Sequence, residues 1–298
     1  MGAALGWIFV RLPRRLLMAV FGGLGVLAWW LGLRRKVILS NLRIAFPEKS
    51  EAERRAIGKA CLRHLGEMIP EFLRVPYLPR ADIERIFEYD GWENFLAAQA
   101  EGKGVIACTA HFGHFDLLAA AHNLRGVPMT TISRKMQIGL WKGTRERAGV
   151  QEIYVDRGDT VQAATKALRA GRVLGYVIDQ SEPNRNAIYP RFFGVPVATA
   201  ATPAVLSRRT GAPVVFTLSV PLPGGRQKVV IQGPLRPPDT GDREADATAF
   251  LQDLNDRLEA WIRRHPEQWY WLHRRWKRRR DVPGAQASPP LTSGDGAR

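Results

Sequence analysis

The sequence predicts an α/β fold, a largely parallel sheet flanked by helices, with one N-terminal membrane helix ahead of it. Three observations carry this. Between Gly104 and about Gln232, short apolar runs alternate with longer mixed segments, the pattern of β-α units. Between Leu16 and Leu33 there is no charged residue. The chain has 298 residues, 45% hydrophobic and 24% charged, enough for a sizeable core.

The uncharged run comes first. It holds 18 residues, close to the ~20 a spanning helix needs. Arg11, Arg14 and Arg15 flank one end, and Arg34, Arg35 and Lys36 the other. Trp29 and Trp30 stand near the second border, where interfacial aromatics belong. A signal peptide would show a small-residue cleavage site after the run, and none follows. A buried core helix is the remaining rival, and basic residues on both sides leave orientation open. Residues 1–35 are therefore expected to form an anchor.

Ser50 and Glu53 make a capping-box pattern that opens a helix running to about Leu73, closed by Pro76 and Pro79. The runs VIACTA, MTTIS, EIYV, VLGYVI, VVFTLSV and KVVIQ follow as strands. TVQAATKALRA is a helix between Asp159, its expected N-cap, and Gly171. Pro and Gly residues around Pro221–Gly225 turn the last two strands into an antiparallel hairpin. From about Arg243 to Arg264, Phe250, Leu251, Leu254, Leu258, Trp261 and Ile262 recur at helical spacing. Residues 36–280 form one folded domain. Residues 281–298, rich in Pro, Gly, Ser and Ala, are expected to be a disordered tail.

Charge and cysteine set limits. With 44 Lys+Arg against 28 Asp+Glu, the net charge of +16 attracts nucleic acid, anionic lipid or an acidic protein without choosing among them. Cys61 and Cys108 are too few for a disulfide framework or a Cys-rich zinc site. Cys108 lies in an apolar run and reads as a small core residue.

Ligands in open α/β sheets bind beyond the carboxyl ends of the strands. His111, His114 and Asp116 follow VIACTA, Arg134 and Lys135 follow MTTIS, and Asp156 and Arg157 come at the end of EIYV. Asp179 and Gln180 complete the set after VLGYVI. A neutral imidazole can abstract a hydroxyl proton when a carboxylate fixes its tautomer. His111 and Asp116, around a turn containing Gly113, are candidates for that pair, with backbone N–H groups near Gly113 as possible oxyanion donors. Arg134 and Arg157 could grip phosphate bidentately. Asp179 has two readings, a turn cap or a substrate contact, and Gln180 is placed with it at the substrate site. Two rivals to His111 as base remain open, His114 itself and a zinc held by the C-x2-H-x2-H triplet Cys108, His111 and His114. The segment 268–280 suits an RNA-binding strip, a headgroup or acidic-carrier contact, or a buried helical face through Trp269, Leu272 and Trp276.

HFGHFD, the Arg157 turn and NLRIAFPE together resemble the lipid A biosynthesis lauroyl/myristoyl acyltransferases, within the lysophospholipid acyltransferase superfamily and its H-x4-D/E motif. YVIDQ, FFGVPVAT and PEQWYWLHRRWKRR are similar to further blocks of that family, so the resemblance runs from about Arg35 to Arg280. It implies a glycerolipid-acyltransferase-like fold for the 36–280 acyltransferase domain. His111 would be the general base, Asp116 its partner and Arg157 a phosphate contact. It further implies an acyl–acyl carrier protein donor, a glycolipid acceptor, no cofactor, no metal and no nucleic acid. The place of work would be the cytoplasmic side of a bacterial inner membrane. Many members carry Glu where this chain has Asp116. Outside this chemistry, a membrane-attached nucleic-acid-binding protein and a metal-dependent hydrolase are the alternatives.

Overall fold

Seven strands build the main sheet, and all six apolar runs are among them. The computed structural model describes residues 2–133, 139–155, 158–182, 187–223 and 226–277. Four helices come first: α1 (Gly2–Arg11), α2 (Arg14–Trp30), α3 (Arg35–Ala45) and α4 (Glu51–Arg74). α5 (Arg80–Ile86), β1 (Phe87–Asp90) and α6 (Trp92–Ala100) lead into the central units. These are β2 (Val105–Thr109), α7 (Phe115–Leu124), β3 (Met129–Ser133), α8 (Gly139–Arg147), β4 (Gln151–Tyr154), α9 (Thr160–Arg169) and β5 (Val173–Val177). A short hairpin, β6 (Arg191–Phe192) and β7 (Val195–Pro196), precedes α10 (Thr202–Thr210), β8 (Val214–Pro221), β9 (Gln227–Leu235) and α11 (Arg243–Arg264).

The strand order is β1-β9-β8-β2-β5-β3-β4. Every pairing is parallel except β8–β9, the expected hairpin. Alternate residues of a strand point to opposite faces, so β2 divides itself between two cores. Ile106 and Cys108 join Leu174, Phe216 and the α11 side chains on one face. Val105 and Ala107 join Val173, Val215 and the α7 side chains on the other. Helices cover both faces, which is why these strands read as continuous apolar runs.

The capping box forms as expected. Ser50 Oγ accepts from the Glu53 backbone N–H, and the Glu53 carboxylate accepts from the Ser50 backbone N–H. Asp159 stands at the N-cap of α9 but makes no side-chain cap bond there. Among the described residues no single helix is long and apolar enough to cross a membrane. α2 and α3 reach that length and apolarity only together, and they meet at 88°. The 281–298 segment lies outside the described residues.

Candidate active site

His111 stands two residues beyond β2, where the chain turns through Phe112 and Gly113 into α7. The turn is tight. Gly113 has φ +56°, and a Cβ there would lie 1.7 Å from the Ser219 carbonyl oxygen, so only glycine fits. Asp179 stands two residues beyond β5, the parallel neighbour of β2, so both residues arrive at the same sheet edge.

There they meet. His111 Nδ1 lies 2.8 Å from Asp179 Oδ1. Asp179 Oδ2 accepts from the His111 backbone N–H at 3.0 Å and from the Trp269 indole N–H at 2.7 Å. Burial would raise the pKa of this fully buried carboxyl. The His111 ring outweighs that effect, helped by His273 and the Trp269 indole, and holds Asp179 below the usual carboxylate range. An ionised carboxylate only accepts, so Nδ1 is the nitrogen that donates to it, and in the neutral ring the lone pair stands on Nε2. Nε2 lies 3.5 Å from the Gln180 side-chain nitrogen, and both residues line one cavity.

The pairing of His111 with Asp116 is thereby corrected, since the carboxylate on the ring is Asp179, 68 residues away. Asp116 sits in the first turn of α7 and pairs with Arg145 of α8, which also holds Glu152 at 2.9 Å. Asp116 and Arg145 line the same cavity as His111. Asp179 is therefore neither an exposed turn cap nor a wall of the cavity. The turn N–H groups are also committed: Gly113 donates to the Gln268 carbonyl at 3.0 Å and Phe112 to Ala110 at 2.7 Å. Neither is free to hold an oxyanion. Arg134, Lys135, Asp156 and Arg157 lie outside the described residues. His114 packs edge-on against His64 at 5.3 Å, and Cys108 faces the other core. No group of three metal-ligating side chains converges among the described residues.

The C-terminal segment clasps this loop. Besides the Gly113 and Asp179 contacts, the Tyr270 backbone N–H donates to the His111 carbonyl at 2.9 Å. His273 packs edge-on against the His111 ring at 4.6 Å, and Phe115 does so at 4.7 Å from the opposite chain segment. Asn41 holds the clasp in place through the Trp271 and His273 carbonyls at 2.8 and 2.6 Å. Of the readings of this segment, the buried helical face holds in its burial of Trp269 and Trp276 but not in its helix. Trp269, Trp271 and Trp276 are all buried, but the segment is extended with short 3-10 turns. Arg275 is fully buried, whereas Arg274 and Lys277 are exposed, and Arg278, Arg279 and Arg280 lie outside the described residues.

The cavity in front of His111 measures about 730 Å³. It runs from the level of Thr109 back to that of Val173, the partner of Val105, between the sheet and helices α6 and α7. Four residues of strand rise make that ~13 Å. Along the way Ala107, Gly175, Val215, Leu118, Phe95 and Trp92 line it, so this part of the cavity is an apolar slot. Its inner end is closed by His122, whose Nδ1–H donates to the Leu118 carbonyl at 2.6 Å and whose Nε2 accepts from the Tyr89 hydroxyl at 3.1 Å.

Buried neutral imidazoles make the protein acid-sensitive. Burial pushes His64 and His122 down to about 4 and His114 well below its ordinary value. Unfolded histidine titrates near ~6.5, so between that pH and about 4 the unfolded chain binds more protons. Stability is therefore full above pH ~6.5 and falls as pH drops toward 4, at ~1.36 kcal/mol per unit for each group. Urea unfolding midpoints at about pH 7.5 and about pH 5 should differ clearly. Equal midpoints would show that these rings are not held neutral.

A carboxylate-oriented imidazole at a largely apolar cavity is the kind of site an enzyme would use to activate a hydroxyl or water beside a hydrocarbon chain. The chain belongs to the bacterial lipid A biosynthesis acyltransferase family, whose profile matches residues 1–278. It is an acyltransferase. It is 29% identical over 283 residues to the lipid A biosynthesis lauroyltransferase of Escherichia coli (strain K12), covering 94% of this chain and 91% of that protein. The palmitoleoyltransferase of the same organism is 28% identical over 284 residues, 93% and 90% of the two chains. The phosphatidylinositol mannoside acyltransferase of Mycolicibacterium smegmatis is 22% identical over 283 residues, again 93% and 90%.

Proposed function

We propose that the protein moves a fatty acyl chain from an acyl-carrier-protein thioester to a hydroxyl of a lipid A precursor in lipopolysaccharide biosynthesis. It would do so at the cytoplasmic face of a bacterial inner membrane, attached by its N-terminal helices. The observation that carries this is the Asp179–His111 pair at the mouth of an apolar slot. The slot takes the acyl chain and brings the thioester carbonyl to His111 Nε2. The acceptor hydroxyl gives its proton to Nε2 as its oxygen attacks the carbonyl carbon. Asp179 stabilises the imidazolium that forms. The tetrahedral oxyanion then expels the thiolate, which takes the proton back from Nε2, leaving an ester and a free thiol. Asp116, locked to Arg145, shapes the wall beside the reacting groups.

Support for the donor comes from charge: Arg274 and Lys277 are exposed next to the clasp and suit a small acidic carrier. Support for the acceptor comes from the family and the two Escherichia coli relatives. The Mycolicibacterium relative makes another glycolipid the second acceptor to assay.

The test is His111→Ala. Loss of a general base should lower kcat by ~10²–10⁴-fold, with circular dichroism and membrane association unchanged. Acyl transfer is followed by mass spectrometry with acyl-carrier donor and lipid A precursor. A near-wild-type rate in the variant would sink the mechanism, and no transfer by the native chain to either acceptor would sink the function.

A further inference from the structure

Among the described residues, ten of the thirteen large hydrophobic side chains that stand exposed lie between Trp7 and Leu33. On α2 they form a stripe, with Leu16, Val20, Leu24 and Leu27 at successive turns, each between 49% and 52% exposed. The opposite face, Leu17, Gly22, Gly25 and Trp29, is buried. It is pressed onto α4 with backbone against backbone. A Cβ added to Gly25 would lie 2.1 Å from the Leu62 carbonyl oxygen, and one added to Gly66 2.1 Å from that of Phe21. α2 is thus fastened along α4.

That fastening decides how the stripe can meet a bilayer. α4 carries Arg55, Lys59 and Arg63 exposed along the stretch that α2 covers. If α2 crossed the hydrocarbon as it is packed here, those three charges would go with it, which a membrane interior strongly resists. Lying flat, α2 immerses only its apolar stripe. Its surroundings suit that position. Arg11 and Arg15 are exposed near one end, and Arg34 and Lys36 near the other, where they meet anionic headgroups. Trp7 and Trp30 are exposed at the two ends of this stretch, and such rings favour headgroup depth.

We infer that α1 and α2 form an in-plane seat in one anionic phospholipid leaflet, and that the chain does not cross the membrane. This rests on the membrane-surface reading given above and specifies it.

Topology decides the matter. Cys61 and Cys108 are both buried, so a single introduced cysteine is the one accessible thiol among the described residues. In sealed inverted inner-membrane vesicles carrying the full chain, Arg11→Cys and Arg34→Cys flank α2. An in-plane seat leaves both open to a membrane-impermeant maleimide from the same side. Protection of one of them until detergent is added means that α2 spans, and overturns the inference. A second arm floats the purified chain with vesicles of phosphatidylglycerol and phosphatidylethanolamine, and with phosphatidylcholine alone. Binding should favour the anionic vesicles. Leu16→Gln, Val20→Gln, Leu24→Gln and Leu27→Gln combined should lower partition by roughly 100-fold or more. Undiminished binding overturns the seat. So does a lipid-independent dimer that fails to float, because the stripe would then belong to a second copy. If the fourfold variant fails to fold, the labelling arm still decides. Neither arm measures acyl transfer, so failure here is separate from failure of the proposed reaction.

Discussion

Asp179→Asn should lower kcat by roughly 10³–10⁴-fold with little change in the fold. The carboxamide can still accept from the Trp269 indole and the His111 backbone N–H through its oxygen. That choice turns its NH2 group toward His111 Nδ1. A donor facing Nδ1 selects the opposite tautomer, so the proton moves to Nε2 and the base loses the lone pair that takes the hydroxyl proton. The imidazolium also loses its countercharge. Both effects fall on kcat, and the acid limb of the kcat/KM profile should shift to lower pH. Asp116→Asn should behave differently. It weakens the hold on Arg145 at the cavity wall but leaves the ring tautomer alone, so its acid limb should stay in place. The comparison needs only pH-dependent rates for two variants of equal folded yield. An unmoved limb in Asp179→Asn together with a moved one in Asp116→Asn would return the partner role to Asp116.

Arg275→Met should destabilise the protein by roughly 3–5 kcal/mol, a fall in Tm on the order of 10 °C. The guanidinium is fully buried and donates to the Gln180 and Ala198 carbonyls at 3.1 and 2.9 Å and to Thr199 Oγ1 at 2.8 Å. Burial pushes its pKa down to about 10, against the pull of Asp179, and it remains charged at neutral pH. Methionine fills the space but leaves two buried acceptors, the Ala198 carbonyl and Thr199 Oγ1, and the part-buried Gln180 carbonyl without this donor, at ~1–3 kcal/mol for each buried one. Arg275→Lys should recover little, because one ammonium on a flexible stem cannot reach the same three acceptors with a planar fork. Differential scanning calorimetry checks both variants. A Tm within ~2 °C of the native chain would show that Arg275 is not holding the segment.

Much of this was open to inspection before any coordinates. The parallel strands of the central units announce themselves because both faces are covered, and the Ser50–Glu53 box and the Pro and Gly residues between the paired β8 and β9 are local codes that need no tertiary context. His111 is visible because it follows a strand. β1 is not visible, because FEYD has one residue buried and its neighbours partly or fully open, too little for an apolar run. The carboxylate partner is hidden for a different reason. Asp116 is near His111 in sequence, but the helix that begins at Phe115 carries it toward α8, whereas β5 delivers Asp179 from 68 residues away. A strand-end acid next to the strand that bears the base was the available signal. Arg275 is the hardest case. In a run of arginines and lysines, nothing local distinguishes Arg275, swallowed by the core, from Arg274 and Lys277, which meet solvent.

The clasp has a consequence for how the enzyme comes into being. Among the described residues, most contacts on His111 from beyond Asp179 and Gln180 come from residues 268–276 and Phe115, and even Asp179 takes a hydrogen bond from Trp269. On the ribosome, the base and its carboxylate emerge long before the tryptophans that secure them. A chain synthesised only as far as Asp179 would lack the contacts from Trp269, Tyr270 and His273, so the arrangement proposed for catalysis would be complete only once residues 268–276 are in place.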